Sequence, residues 1–142
     1  MNNVKRKTGG FFGRDFTSIL MLVALVFLMA GGYFVSRKKA RLREATSLPF
    51  YKIEMSQIAD GEYYGKTYTT FLHLQLKLIV ENHKIKDIQV LESEGIDSET
   101  ARPIIQEMIE RNNVVVPAIK KAELGSLVYI SCASSALNEA LK

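Results

Sequence analysis

Phe16 to Val35 is a run of twenty residues without a single charge, FTSILMLVALVFLMAGGYFV. As a helix rising ~1.5 Å per residue, such a run crosses a ~30 Å hydrocarbon core. It divides the 142-residue chain into a basic N-terminal tail at 1–15, a transmembrane helix at 16–35, a basic juxtamembrane segment and linker at 36–51, and a domain at 52–142. A cleaved signal peptide is the competing reading. Its apolar core is usually about 7–15 residues and ends at a small-x-small site. Ala30-Gly31-Gly32 is the only such site, and it lies inside the run, with Phe34 and Val35 extending the apolar length beyond it. No Cys follows the run to invite lipoprotein processing. The sequence therefore reads as a single-pass protein of the cell membrane, with the lipid bilayer as its first partner.

The flanks do not orient the helix. Lys5, Arg6, Lys7 and Arg14 precede it, and Arg37, Lys38, Lys39, Arg41 and Arg43 follow it. A positive-inside bias needs asymmetry, and four against five gives none. The basic stretch after the run suits anionic head groups, although an ordinary charged stop beside a membrane helix has the same composition.

The net charge of +4 hides a split. Residues 1–45 hold nine Lys/Arg against two Asp/Glu, whereas the remainder holds ten against thirteen. The folded part is thus mildly acidic and lacks the basic face that nucleic-acid binding needs. The single Cys132 excludes an internal disulfide and a Cys-based metal cluster. His73 sits in a strand pattern and His83 in a turn, neither with a partner at metal-ligand spacing, so no metal site is expected. No P-loop, GxGxxG or GxSxG occurs, and no catalytic constellation is visible, so the chain reads as a binding module rather than an enzyme.

Within the domain, Leu72, Leu74, Leu76, Leu78 and Val80 alternate with His73, Gln75, Lys77, Ile79 and Glu81, the period of a half-buried strand. After the polar turn at Glu81 to Lys84, Ile85 to Leu91 forms a second strand of an antiparallel hairpin. Gly61 to Thr70, rich in Tyr and Thr, supplies a third. Glu92 to Asp97 reads as a loop, and Ser98 as an N-cap with Glu99 in the first turn. A helix then follows to Arg111, in which Pro103 belongs in the first turn. Val114 to Pro117 reads as extended. Leu127 to Ile130 reads as a strand, followed by a helix carrying Ala133, Ala136, Leu137, Ala140 and Leu141 on one face. The fold class is α+β, an antiparallel sheet with packed helices behind one transmembrane helix.

Two stretches resemble the membrane-associated FMN-binding domain of bacterial flavin-based electron-transfer chains. Asp60-Gly61-Glu62-Tyr63-Tyr64-Gly65 is similar to that family's opening D-G-x-Y-x-G, and Gly125 to Ser131 (GSLVYIS) sits where the family carries S-G-A-T-[YT]-[TS]-S. The hairpin turn Glu81 to Ile85 resembles the family's V-x-D/N-G-K-I, and Glu99-Thr100 matches an E-T ahead of its first helix. The resemblance covers roughly residues 52–142. It implies an extracytoplasmic C-terminal domain, a place among other membrane electron-transfer subunits, and FMN contacts from Tyr63, Gly125, Ser126, Tyr129 and Ser131.

One departure bears on the chemistry. The family's acceptor threonine, whose hydroxyl takes FMN through a phosphoester, falls on Val128, or on Leu127 if the glycines are aligned; the upstream aspartate falls on Ala122. Neither acceptor candidate has a hydroxyl, so FMN, if bound, is held non-covalently. The alternative is a scaffold or assembly subunit that keeps the fold and binds no flavin. Tyr63, Tyr64, Tyr68 and Tyr129 can stack on a planar ring or serve as ordinary strand residues. Gly61 and Gly65 suit turns or a bulge, and Gly125-Ser126 either offers N–H groups to a phosphate ahead of the last helix or simply makes a loop. Cys132 reads as a small packed residue.

Overall fold

The computed structural model describes residues 12–142, so the basic tail placed at 1–15 lies outside the described residues up to position 11. The chain divides after Lys39 into two compact units. The first consists of most of helix α1 (Phe12–Thr46). The stretch Thr17–Thr46 is long and apolar enough to cross a membrane, and its apolar window has no buried residue. Leu22, Phe27, Leu28 and Met29 are all exposed, a helix apolar on every side that suits lipid rather than a protein core. The helix does not stop at Val35; it runs on through Arg37, Lys38, Lys39, Arg41 and Arg43 into the segment read as juxtamembrane linker.

The second unit, Ala40–Lys142, is an α+β domain. Its sheet has three antiparallel strands in the order β1-β2-β3: β1 (Gly61–Tyr68), β2 (His73–Glu81) and β3 (Lys84–Glu94). Helices α2 (Ser98–Arg111) and α3 (Glu123–Glu139) follow. The alternation in β2 is realised: Leu74, Leu76 and Leu78 are fully buried, while His73, Gln75 and Lys77 are half-exposed on the opposite face. The buried row packs with Ile104 and Met108 of α2 and with Val128, Tyr129 and Leu137 of α3 in one core.

Both hairpins are tight. Thr69 N–H donates to Leu72 C=O (2.8 Å), and Thr69 Oγ1 accepts from Leu72 N–H (2.9 Å), which ends β1 at Tyr68 rather than at Thr70. Asn82 and His83 have φ of 53° and 58°, the two left-handed positions of a type I′ turn whose twist matches a hairpin. Asp60 and Asn112 hold this turn from two sides. Asp60 Oδ1 accepts from His83 N–H (3.2 Å), and Asn112 Nδ2 donates to His83 C=O (3.1 Å) while its Oδ1 accepts from Ile85 N–H (2.9 Å).

Several sequence expectations change. β3 continues three residues past Leu91, because Glu92 and Glu94 pair across the ladder with Gln75 and His73, and their side chains meet as Gln75–Glu92 and His73–Glu94. The N-cap of α2 is Asp97, whose carboxylate accepts from Glu99 N–H (3.1 Å); Ser98 is already helical. Pro103 lies in the second turn of α2, not the first. It has no N–H to give the carbonyl of Glu99 four residues earlier, and both residues are exposed, so the lost bond falls on the outer side of the helix.

Leu127 to Ile130 is helix, not strand. Its β-branched, apolar run is equally at home in a helix buried on nearly every side, and α3 is one: Val128, Tyr129, Ile130, Ser131, Cys132, Ala133 and Ser134 are all buried in succession. The sheet covers one side of α3, and the stretch after α1 covers another. Ser131 Oγ donates to Pro49 C=O (2.7 Å), and Tyr51 N–H donates to Ser134 Oγ (3.4 Å). What reads as a linker is therefore part of the domain's packing.

Candidate functional site

Each residue singled out by the resemblance has a definite place, and most lie in the interior. Val128 is completely buried in the first half of α3. Ser126 is also fully buried; its hydroxyl donates to Ala122 C=O (2.8 Å) and accepts from Ile119 N–H (3.1 Å), while its own N–H is taken by Ala122 C=O (2.9 Å). Ser131 spends its hydroxyl on Pro49. Tyr129 is 1% exposed, with burial pushing its phenol up and a hydrogen bond to Ser93 opposing the shift.

Gly125 and Ser126 therefore do not form a loop ahead of the last helix. They sit inside its first turns, and only the N–H groups up to Gly125 lack an acceptor within the helix. Gly125 is small because α2 is close: a Cβ there would stand 2.9 Å from Thr100 Cγ2 and 3.0 Å from Ile96 Cγ2. Tyr63 stands apart from these residues, on β1 opposite Leu78, with its hydroxyl donating to Ala59 C=O (2.7 Å).

The opening motif is likewise absorbed by the fold. The Asp60 carboxyl is held below its ordinary value chiefly by the main-chain N–H groups of Asn82 and His83. Gly65 makes neither turn nor bulge, since β1 pairs with β2 in unbroken register. It is the point where β1 meets α3: a Cβ on Gly65 would lie 2.5 Å from the Cys132 carbonyl oxygen. Cys132 itself is buried, its thiol pushed up to about 11 by desolvation, with Sγ 3.7 Å from Leu74 C=O.

One cavity does bring together two of the matched stretches. A hollow of about 220 Å³ at the start of α3 is lined by Gly95, Asp97, Thr100, Lys121, Ala122 and Gly125 among others. Thr100 belongs to the Glu99-Thr100 pair and Gly125 to the second motif; Tyr63 does not reach it. α3 begins here without a side-chain cap at Ala122, so a ligand anion in the hollow would meet first-turn N–H groups and the Lys121 side of the wall. Sequence reading passed over Lys121, Asp97 and Gly95. Nothing local marks them, because the hollow exists only where the β3–α2 and α2–α3 connections meet.

The residues do not fit a covalently held FMN. The acceptor position offers a valine in a sealed core, and the neighbouring hydroxyls are engaged inside the protein. Among the described residues no cluster of three or more His, Cys, Asp or Glu is placed to hold a metal ion. Comparison with protein-family models, with curated proteins and with solved structures returns no match.

Proposed function

We propose that this chain is a single-pass membrane protein whose C-terminal domain stands outside the cytoplasm as an FMN-binding-like component of a membrane electron-transfer assembly, acting through protein contacts and carrying no covalent flavin. The observation behind the last point is the state of α3. Val128 is fully buried, and Ser126 and Ser131 have already used their hydroxyls within the fold. A phosphoester needs an exposed hydroxyl, and a stacking partner needs an open ring face; Tyr129 has neither free surface nor room.

A second reading, reversible FMN binding, draws on the hollow that Thr100 and Gly125 share with Lys121. The two readings separate on the whole protein purified from membranes. The first expects no visible flavin absorption and no fluorescent band on a denaturing gel, even with a flavin transferase co-expressed. The second expects FMN fluorescence to quench on titration, and a Lys121→Glu exchange to abolish the quench. A fluorescent denatured band would overturn both. Placement is checked separately: protease added to intact spheroplasts should remove residues 52–142, and full protection would refute it.

A further inference from the structure

A three-stranded sheet has two edges, and this one treats them differently. The β3 edge is interrupted. Its ladder with β2 shifts register twice, between Gln75 and Leu76 and between Ile79 and Val80, and Asn112 caps the Ile85 N–H. Bulges and caps of this kind are how sheets blunt an edge against further pairing. The β1 edge has no such device. Its eight residues run in unbroken register with β2.

The Thr69–Leu72 bond fixes which groups β1 leaves open. N–H and C=O directions alternate along a strand, and Thr69 donates inward to β2. Gly61, Tyr63, Gly65 and Thr67 therefore bond β2, whereas Glu62, Tyr64, Lys66 and Tyr68 aim their main-chain groups outward. Among the described residues nothing else bonds to those outward groups. The side chains of the same four residues share the sheet face away from the helices and are exposed, Tyr64 at 54% and Tyr68 at 55%. Where the edge passes α3, a hollow of about 210 Å³ between Tyr64, Gly65, Lys66, Ser135, Ala136 and Glu139 leaves the approach open.

We propose that the β1 edge pairs with the β1 edge of a second copy of this chain, antiparallel about a two-fold axis at Tyr64, joining the two sheets into one. The strand is self-complementary in that register. Tyr64 faces Tyr64 of the other copy, and Glu62 faces the other copy's Lys66 on both sides of the axis, since a two-fold contact repeats each pair. All three positions belong to the outward set, so directly opposed residues exchange both main-chain bonds, about six in total. Opposite charges and aromatic pairs across such a junction add to the pairing. Lys66 forms no ion pair within its own domain among the described residues, and Glu62 already holds Lys77 at 2.7 Å, so the junction would extend an existing charge ladder. A shift of two residues in either direction would break both charge pairs.

The test uses the full chain in native membranes. Directly opposed residues in such a pair have Cα atoms about 5.5 Å apart, within disulfide range. Tyr64→Cys should give a covalent dimer with a mild oxidant. Gln89→Cys, on the same face and row but at the far edge, should stay monomeric and reports random collision. The native Cys132 is buried and stays silent. In the Tyr64→Cys background, Lys66→Glu alone and Glu62→Lys alone should each lose the cross-link, because each opposes like charges at both junctions. Co-expressing the two should recover it as a heterodimer with both charge pairs restored. A monomeric Tyr64→Cys protein, equal cross-linking from Gln89→Cys, or no recovery in the mixed pair would overturn the proposal.

Discussion

Gly65→Ala tests the close approach of α3 to β1. The new Cβ would stand 2.5 Å from the Cys132 carbonyl oxygen and 3.0 Å from Ala136 Cβ. Ordinary contact lies near ~3.5 Å, so α3 has to retreat from β1 by about 1 Å. The obstructing atom is helix backbone, which cannot rotate aside as a side chain would, and the helix is packed on several sides. Overpacking of this kind costs about 1–3 kcal/mol. Alanine also stiffens the unfolded chain, which contributes about 0.4–1 kcal/mol in the opposite direction when the native backbone accepts it. The clash is the larger effect, and the net is destabilising. For a domain of this size a loss of 1 kcal/mol lowers Tm by about 4–8 °C, so a fall of roughly 5–15 °C is expected. The assay is thermal unfolding of the detergent-solubilised chain followed by tyrosine fluorescence, with Tyr64→Ala on the opposite face as the comparison. An unchanged or raised Tm for Gly65→Ala would refute the close approach of α3 to β1.

Leu76 is fully buried and Gln75 beside it is not; Leu76→Asp buries a carboxylate with no partner, so its folded yield should fall several-fold below that of Gln75→Asp, and equal yields would show that β2 buries its other face. The Cys132 thiol, buried and raised to about 11, should resist a soluble thiol reagent at neutral pH until the domain unfolds; rapid labelling of the native protein would place it at the surface. Asp60 binds its protons less readily folded than unfolded, because the Asn82 and His83 N–H groups favour the carboxylate. Its stabilising contribution is therefore complete above the ordinary value of 3.8 and disappears as pH falls through the lower folded value, so Asp60→Asn should flatten the acid limb of a stability profile, and an unaltered limb would refute that role.

Local pattern announced what local physics decides. The Leu72–Val80 alternation states both the strand and its buried face, and the polar Asn82-His83 pair states the turn. The run Leu127–Ile130 could not be assigned in the same way, because a helix buried all round and a buried strand share one composition. Its choice is made by residues far away: Gly65 admitting the helix backbone, and Pro49 and Tyr51 bonding Ser131 and Ser134 from the segment after α1. The candidate site was legible as positions and not as environments. Ser126 and Ser131 look like available hydroxyls in one dimension. Only the return of the chain at Ile119 and at Pro49 reveals that both are occupied.

This separates two kinds of information in the resemblance to FMN-binding domains. Asp60 anchors a hairpin turn, Gly65 lets a helix cross a strand, and Gly125 lets two helices meet. Each requirement would persist in a domain that never met a flavin, because each is set by backbone approach or by a turn's main-chain groups. These residues therefore testify to a shape. The acceptor hydroxyl is different: no packing need calls for it, and in a buried position a hydroxyl without a partner costs more than the methyl of valine. At a position sealed in the core burial favours the apolar residue, and Val128 is fully buried. Asp60, Gly65 and Gly125 are thus accounted for by the fold itself, whereas nothing in the packing calls for a hydroxyl at position 128.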